Sequence, residues 1–138
     1  MCGVYFALRS GQEHRALSFD PCQIELLQPA GKRACLGYTE DISKNNPGGL
    51  RGRKNRPKTV THYENLDNSH RCFVHIFKMY NSKCPPDRPK DAFYLKPLKN
   101  QTDTRWYLCQ PVGHCTLAGT VAQLCKAAGI KDTRPTIH

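Results

Sequence analysis

The residues with the clearest capacity for chemistry form a basic run in the middle of the chain. Between Ser43 and Lys58 there is no acidic residue, and there are six cations: Lys44, Arg51, Arg53, Lys54, Arg56 and Lys58. Gly, Pro and Asn punctuate this stretch, which predicts a loop. Guanidinium and ammonium groups bind phosphate oxygens, and such a cluster is typical of contacts to a nucleic-acid backbone. A solvated turn without a ligand is the alternative interpretation.

Eight cysteines and six histidines supply possible metal ligands, but their spacing does not favour a metal site. No two cysteines form a Cys-x-x-Cys pair, and the densest His/Cys groups lack zinc-finger spacing. We therefore expect no metal, no cofactor and no disulfide framework. Cys72, Cys109, Cys115 and Cys125 are interpreted as core thiols, because free cysteine usually behaves as a small hydrophobe.

The composition limits the class of protein. A length of 138 residues fits one domain, and 38% hydrophobic residues permit a modest core. Lys plus Arg number 21 against 11 Asp plus Glu, so the formal net charge of +10 predicts a polyanionic partner. The first residues lack the features of a signal peptide, and no window approaches about 18 apolar residues. We therefore expect an intracellular protein with no membrane partner.

The first half of the chain predicts two short helices and then a small antiparallel sheet. The helices lie on either side of a bend, and the second starts at Gly11. Ile24–Gln28 and Ala34–Thr39 predict a β-hairpin across a Pro-Ala-Gly turn. Beyond the basic loop, Thr59–Tyr63 has the β-branched and aromatic content of a third strand.

The second half predicts two longer helices with apolar inserts between them. Apolar residues at helical spacing predict a helix from Ser69 to Tyr80, which Cys84-Pro85-Pro86 ends. The last helix is expected to begin at Thr116 and to end with Gly129 in the left-handed conformation. The chain is therefore expected to be a single α+β domain.

Three features, in this order, resemble one known family. They are the box Leu8-Arg9-Ser10-Gly11-Gln12-Glu13-His14-Arg15, the hairpin with Lys44 beyond it, and the late run from Gln110-Pro111-Val112-Gly113 to Ala127-Ala128-Gly129-Ile130. Together they resemble the tyrosine-recombinase-like domain derived from Crypton elements, a domain of unknown function at the C-terminal end of MYM-type zinc-finger proteins. The resemblance spans residues 1–138 and implies a mainly helical recombinase catalytic core with a small three-stranded antiparallel sheet, truncated at both ends.

The resemblance also implies a phosphate site. Arg9 matches the first catalytic arginine, Lys44 the lysine that follows the second strand, and His138 the histidine that opens the His-x-x-Arg box. The arginine would hold phosphate oxygens in a bidentate way, and the lysine would protonate the leaving oxygen. In the family's order, the second arginine and the nucleophilic tyrosine follow His138. This chain as given is therefore not expected to cleave DNA.

For function, the resemblance implies a catalytically incomplete domain in the nucleus. The domain would bind duplex DNA or chromatin proteins and would be associated with transcription. The contacts to the DNA backbone would come from the basic run, at Arg51, Arg53, Lys54, Arg56 and Lys58. One alternative is the central fragment of an active mobile-element recombinase that integrates DNA. Another is a protein-interaction module without a nucleic-acid role, which would use the apolar inserts Phe93–Leu98 and Trp106–Leu108.

Overall fold

Two short helices open the structure, a computed structural model that describes residues 2–8, 11–20, 23–40 and 57–130. Helix α1 spans Cys2–Tyr5 and helix α2 spans Gly11–Ala16, which confirms the predicted pair of helices. Helix α1 ends where Ala7 takes a left-handed φ of 49°. The Leu8 N–H then donates to the Gly3 carbonyl over 2.9 Å and closes the turn.

Three strands form an antiparallel sheet in the order β1-β2-β3, in agreement with the predicted hairpin and third strand. The strands are β1 at Ile24–Leu27, β2 at Cys35–Thr39 and β3 at Thr59–Tyr63. Leu36 and Tyr38 of the central strand are buried. The ring of Phe6, just beyond α1, stacks on Tyr38 with centroids 4.6 Å apart. One face of the sheet is therefore covered by the N-terminal segment.

A buried thiol divides the helix predicted from Ser69. A 3-10 turn at Ser69–Arg71 precedes helix α3 at Phe73–Lys83. Between them, Cys72 Sγ accepts the backbone N–H of His75 over 3.4 Å and that of Asn65 over 3.2 Å. The sulfur thus takes the place of a hydroxyl N-cap. The helix ends at Cys84, as predicted.

Aromatic rings make up much of the core. Phe73 of α3 stacks on Tyr5 with ring centroids 4.4 Å apart. Phe93 lies 4.9 Å from Phe19 and 5.2 Å from Tyr80, measured between ring centroids. Ring pairs at these distances add about 0.5–1.5 kcal/mol beyond the burial of their area. Helix α3 contributes to both groups of rings and so links the sheet to the second half of the chain.

The prediction of separate apolar inserts missed a second hairpin. Strand β4 (Leu95–Pro97) pairs with strand β5 (Tyr107–Pro111) in an antiparallel, irregular register. The Tyr80 hydroxyl donates to the Phe93 carbonyl over 2.6 Å and accepts the Leu95 N–H over 3.3 Å. This bridge holds the hairpin on α3. A proline in each strand removes ladder donors, which is why the sequence pattern did not indicate strands.

Helix α4 spans His114–Ala127 and begins two residues before the predicted cap at Thr116. Its end is as predicted: Gly129 has a φ of 70°, and the Ile130 N–H donates to the Cys125 carbonyl over 2.9 Å. Leu124, on the apolar side of this helix, is 64% exposed. Helix α4 therefore leaves part of its apolar surface uncovered by the described residues.

These helices and the two small sheets give the chain an α+β set of elements. The packing of the helices as in a tyrosine-recombinase core stays a prediction, as does a single domain over residues 1–138. Within the described parts of the chain, no helix is long and apolar enough to cross a membrane.

A half-buried histidine ties the N-terminal helices to the second hairpin. His14 Nδ1 lies 3.0 Å from the Tyr94 hydroxyl. Gly3 allows this ring to pass over α1, because a Cβ at that position would lie 2.9 Å from His14 Nε2. Burial lowers the pKa of His14. The neutral ring is therefore the form that the fold stabilises.

The left-handed Ala7 gives a prediction for stability. Ala7→Gly removes a backbone strain of about 1–2 kcal/mol, offset by about 0.4–1 kcal/mol of extra unfolded-state entropy. The variant should therefore be more stable by roughly 0.5–1 kcal/mol in urea unfolding. Ala118→Gly in the interior of α4 is the control and should lower stability by about 1 kcal/mol. Equal losses in both variants would contradict the assigned turn.

The lowered pKa of His14 predicts a pH dependence. The unfolded ring has a pKa of about 6.5 and so binds a proton before the folded ring does. The free energy of unfolding should therefore fall as the pH drops below about 6.5, where the unfolded ring takes up a proton before the folded ring does. His14→Gln, which retains a hydrogen-bonding side chain, should flatten this slope, whereas the exposed His70→Gln should leave it unchanged. Identical slopes in all three proteins would exclude the role given to His14.

Candidate nucleic-acid interface

The two ends of the predicted basic loop meet at one end of the three-stranded sheet. Thr39 pairs with Thr59, and the Glu40 N–H donates to the Lys58 carbonyl over 2.9 Å. The chain leaves β2 and returns to β3 at neighbouring points. The sequence between these points holds five of the six predicted cations, so the sheet fixes where that segment starts and ends.

Lys58, the sixth cation, holds the turn that ends α1. Its ammonium donates to the Phe6 carbonyl over 2.8 Å and to the Ala7 carbonyl over 2.9 Å. A cation at the C-terminal end of a helix is favourable, because the last carbonyls carry partial negative charge. These two bonds leave one ammonium hydrogen for another acceptor. The contact of Lys58 with DNA stays a prediction, and its observed role is to stabilise this turn.

A second side chain from β3 completes this contact. His62 lies four residues after Lys58, and its Nε2 hydrogen-bonds the Tyr5 carbonyl. The ring also packs edge-on against Tyr5, with centroids 5.1 Å apart. We call Lys58, His62 and the carbonyls of residues 5–7 the α1 clamp. Sequence analysis missed His62 because its partner is 57 residues away and no local pattern marks such a pair.

The α1 clamp brings together the described neighbours of two predicted sites. Leu8, the residue before Arg9, closes the turn that Lys58 holds, and Glu40 lies four residues before Lys44. The other predicted site residues fall outside the described parts of the chain: Arg9, Lys44, Arg51, Arg53, Lys54, Arg56 and His138. Their convergence on one phosphate stays a prediction, while the segments that lead to Arg9 and to the loop do meet.

Three tyrosines in the second half of the chain are engaged in packing. Burial raises the pKa of Tyr80, Tyr94 and Tyr107, so each hydroxyl resists ionisation. The hydroxyls of Tyr80 and Tyr94 also hold the structural hydrogen bonds described above. A phenolic nucleophile must be reachable and able to lose its proton. These environments favour a structural role for all three.

The prediction of four core thiols is correct only for Cys72. Cys115 is exposed, and Cys109 and Cys125 are partly exposed, because they lie on a short edge strand and on the weakly covered helix α4. Cys109 Sγ–H donates to the Asp87 carboxylate over 3.1 Å. This bond raises the pKa of Cys109 and lowers that of Asp87. The thiol thus ties β5 to the loop after α3.

Possible metal ligands are dispersed over the described residues. No group of three or more His, Cys, Asp or Glu side chains in residues 2–8, 11–20, 23–40 and 57–130 could hold a metal ion. The seven cysteines in these ranges are all free thiols. The described part of the site therefore consists of cations, carbonyls and aromatic rings.

The helices and small sheets of the described residues lie within a region that matches a known family. The chain belongs to the family described as Domain of unknown function (DUF3504), whose model matches residues 1–126. The match takes in every helix and strand described above except the final residue of α4.

Two curated relatives of this chain are the same protein from two organisms. The chain is 28% identical over 148 aligned residues to Zinc finger MYM-type protein 2 of Homo sapiens and of Pongo abelii. The alignments cover 93% of this chain and 10% of each relative, so the chain spans about a tenth of their length. No solved structure matches.

The α1 clamp predicts a specific loss of stability. Lys58→Met removes two charge-assisted hydrogen bonds, one to the partly buried Phe6 carbonyl and one to the exposed Ala7 carbonyl, and should lower the free energy of unfolding by about 1–3 kcal/mol. Lys32→Met removes the same charge from the exposed β1–β2 turn and should change stability by less than about 0.5 kcal/mol. Urea unfolding measures both variants. A loss at Lys58 no larger than that at Lys32 would show that the clamp contributes nothing.

Proposed function

We propose that this chain is a catalytically incomplete, tyrosine-recombinase-like domain that binds duplex DNA through its phosphate backbone. The observation that carries the proposal is the α1 clamp, which joins the segment before Arg9 to the end of the basic loop at Lys58. In the resemblance to recombinases, this arginine and the lysine after β2 face the same phosphate. The segment before Arg9 and the end of the basic loop are in contact through Lys58, which supports a phosphate site shared by Arg9 and Lys44.

The charge balance supports an anionic partner of low sequence specificity. A net charge of +10 attracts DNA at long range, and six cations in one segment can each displace a condensed counterion. The segment contains Gly, Pro and Asn but no aromatic residue that could stack on a base. Backbone contacts are therefore the binding mode that the residues favour.

The relatives support a chromatin setting. The name of these relatives, Zinc finger MYM-type protein 2, refers to zinc fingers. Zinc fingers commonly bind nucleic acids, or proteins that are bound to nucleic acids. We extend this setting to the present chain and propose that it acts in the nucleus on DNA or chromatin. Descent from a Crypton recombinase accounts for both the box at Arg9 and the lysine at position 44. The absence of catalysis is part of the proposal, and burial of the hydroxyls of Tyr80, Tyr94 and Tyr107, which raises the pKa of each, supports it for these three residues.

The test is fluorescence anisotropy with two labelled duplexes of unrelated sequence. The variant Arg51→Glu/Arg53→Glu/Lys54→Glu/Arg56→Glu should lose binding at moderate salt. For the unmodified protein, the logarithm of the association constant should fall with the logarithm of the salt concentration, with a slope of about −0.9 per phosphate contacted. Both duplexes should bind with similar affinity.

The control has the same net charge and the same number of substitutions. Lys32→Glu/Arg33→Glu/Arg71→Glu/Lys90→Glu reverses four exposed cations outside the basic run and should retain most of the affinity. Unchanged binding by the basic-run variant would reject the DNA role. Equal losses in both variants would show that only the total charge matters and that the segment is not a site.

A further inference from the structure

An open apolar groove lies on the second half of the chain, apart from the basic run. Its volume is about 510 Å³, and it is lined by α3, by the β4–β5 hairpin and by α4. Aromatic and aliphatic side chains form most of its lining, including Phe77, Trp106 and Leu117. Sites that take a ligand or a few inserted side chains have volumes of about 300–1,000 Å³. The groove is thus large enough to receive part of a partner.

The groove offers few polar groups to a ligand. The Tyr80 hydroxyl is already bonded to the backbone of β4 and the residues before it, and the Tyr94 hydroxyl is bonded to His14. Met79 lines the groove and is 42% exposed, and Leu124 on the neighbouring helix is 64% exposed. An apolar groove with exposed apolar side chains on the elements that form it is typical of an interaction site. The contact surface of its occupant must be apolar.

The walls of the groove carry a net positive charge. The three segments that form its walls, residues 73–83, 93–98 and 105–127, contain no Asp or Glu. They contain five cations: Lys78, Lys83, Lys96, Arg105 and Lys126. Lys78 is paired with Glu64 over 3.1 Å. Arg105 lies near the carboxylate of Asp87, which accepts a hydrogen bond from the Cys109 thiol of β5. We call the remaining three cations, Lys83, Lys96 and Lys126, the rim of the groove, and the ammonium of Lys83 lies 5.3 Å from the centroid of the Trp106 ring.

We propose that this groove binds an amphipathic helix of a partner protein, with an apolar face in the groove and acidic residues along its edges. Complementary charge at the rim steers and orients a partner, while burial of apolar side chains supplies affinity. Helix-in-groove binding uses anchors at i, i+3, i+4 and i+7, and walls made by two helices suit that spacing. The proposal is independent of DNA binding by the basic run.

Nucleic acid fits this groove less well than a helix. Base recognition in such a site needs open aromatic faces for stacking and polar groups for the base edges. Here Lys83 covers the Trp106 ring, while Tyr80 and Phe93 pack on each other with centroids 5.2 Å apart. The hydroxyls of Tyr80 and Tyr94 are already engaged in hydrogen bonds within the fold. Single-stranded and duplex DNA therefore enter the test as competitors.

The test starts from a display library of random peptides of about 16 residues, some four helical turns. The enriched peptides should have apolar residues at helical spacing and several Asp or Glu. Binding of the consensus peptide is then followed by the emission of Trp106, the single tryptophan of the chain and part of the groove lining. A saturable change that weakens with salt is expected, and neither form of DNA should displace the peptide.

Matched variants make the outcome decisive. Met79→Glu places a like charge in the groove and should weaken the peptide by at least about tenfold. Leu66→Glu, at a position that is 65% exposed and outside the groove, should bind normally. Lys96→Gln/Lys126→Gln should reduce the salt dependence. Thermal unfolding confirms that each variant is folded.

Three results would overturn the proposal. One is a library that enriches no peptide sensitive to Met79→Glu. Another is a set of enriched peptides that are basic or neutral, since the rim would then have no role. The third is displacement by DNA, which would make the groove a nucleic-acid site.

Discussion

The structure depends on the way in which β3 ends helix α1. A helix of four residues leaves most of its carbonyls without intrahelical partners, and Ala7 adds a left-handed residue that is not a glycine. Lys58 and His62 supply donors to three consecutive carbonyls, those of Tyr5, Phe6 and Ala7. Without them, the carbonyls of Tyr5 and Phe6 would be unpaired in partly buried positions. Because Phe6 is fully buried and stacks on Tyr38, this turn also fixes the core against the sheet.

The same contacts connect local structure to the proposed site. Lys58 closes the basic segment at the sheet, and its side chain holds the residue pair that precedes Leu8 and Arg9. Lys58 thus connects the end of the segment between β2 and β3 to the residues that precede Arg9. This connection is useful under the proposed function, because it brings the residue before Arg9 and the end of the basic run to one place. That reasoning supports DNA-backbone binding without requiring catalysis.

Local signals predicted much of the fold, and long-range contacts account for what they missed. Local signals fixed the start of α2 at Gly11 and the end of α4 at Gly129, through the backbone preference of glycine. The β-branched and aromatic residues of Thr59–Tyr63 indicated strand β3. Each of these signals depends on a few neighbouring residues. The β4–β5 hairpin has a proline in each strand and is held by Tyr80 from α3, so its own sequence does not indicate strands. The sequence also did not indicate the helix cap at Cys72, because a thiol rarely accepts the backbone N–H at the start of a helix. Lys58 was identified as a phosphate ligand from its neighbours in sequence, but its observed partners lie 51 and 52 residues away.

The distribution of charge separates the two proposed surfaces. A chain with a net charge of +10 has a general attraction for any polyanion, so net charge alone does not distinguish a DNA site from a protein site. The surroundings of the cations do distinguish them. In the basic run the cations lie among Gly, Pro and Asn, with Leu50 as the single aliphatic side chain besides proline and with no aromatic residue. Around the groove, cations border aromatic and aliphatic side chains, and apolar burial requires a partner with apolar side chains of its own. We therefore propose DNA as the partner of the first environment and an acidic amphipathic helix as the partner of the second, on two separate surfaces of one chain.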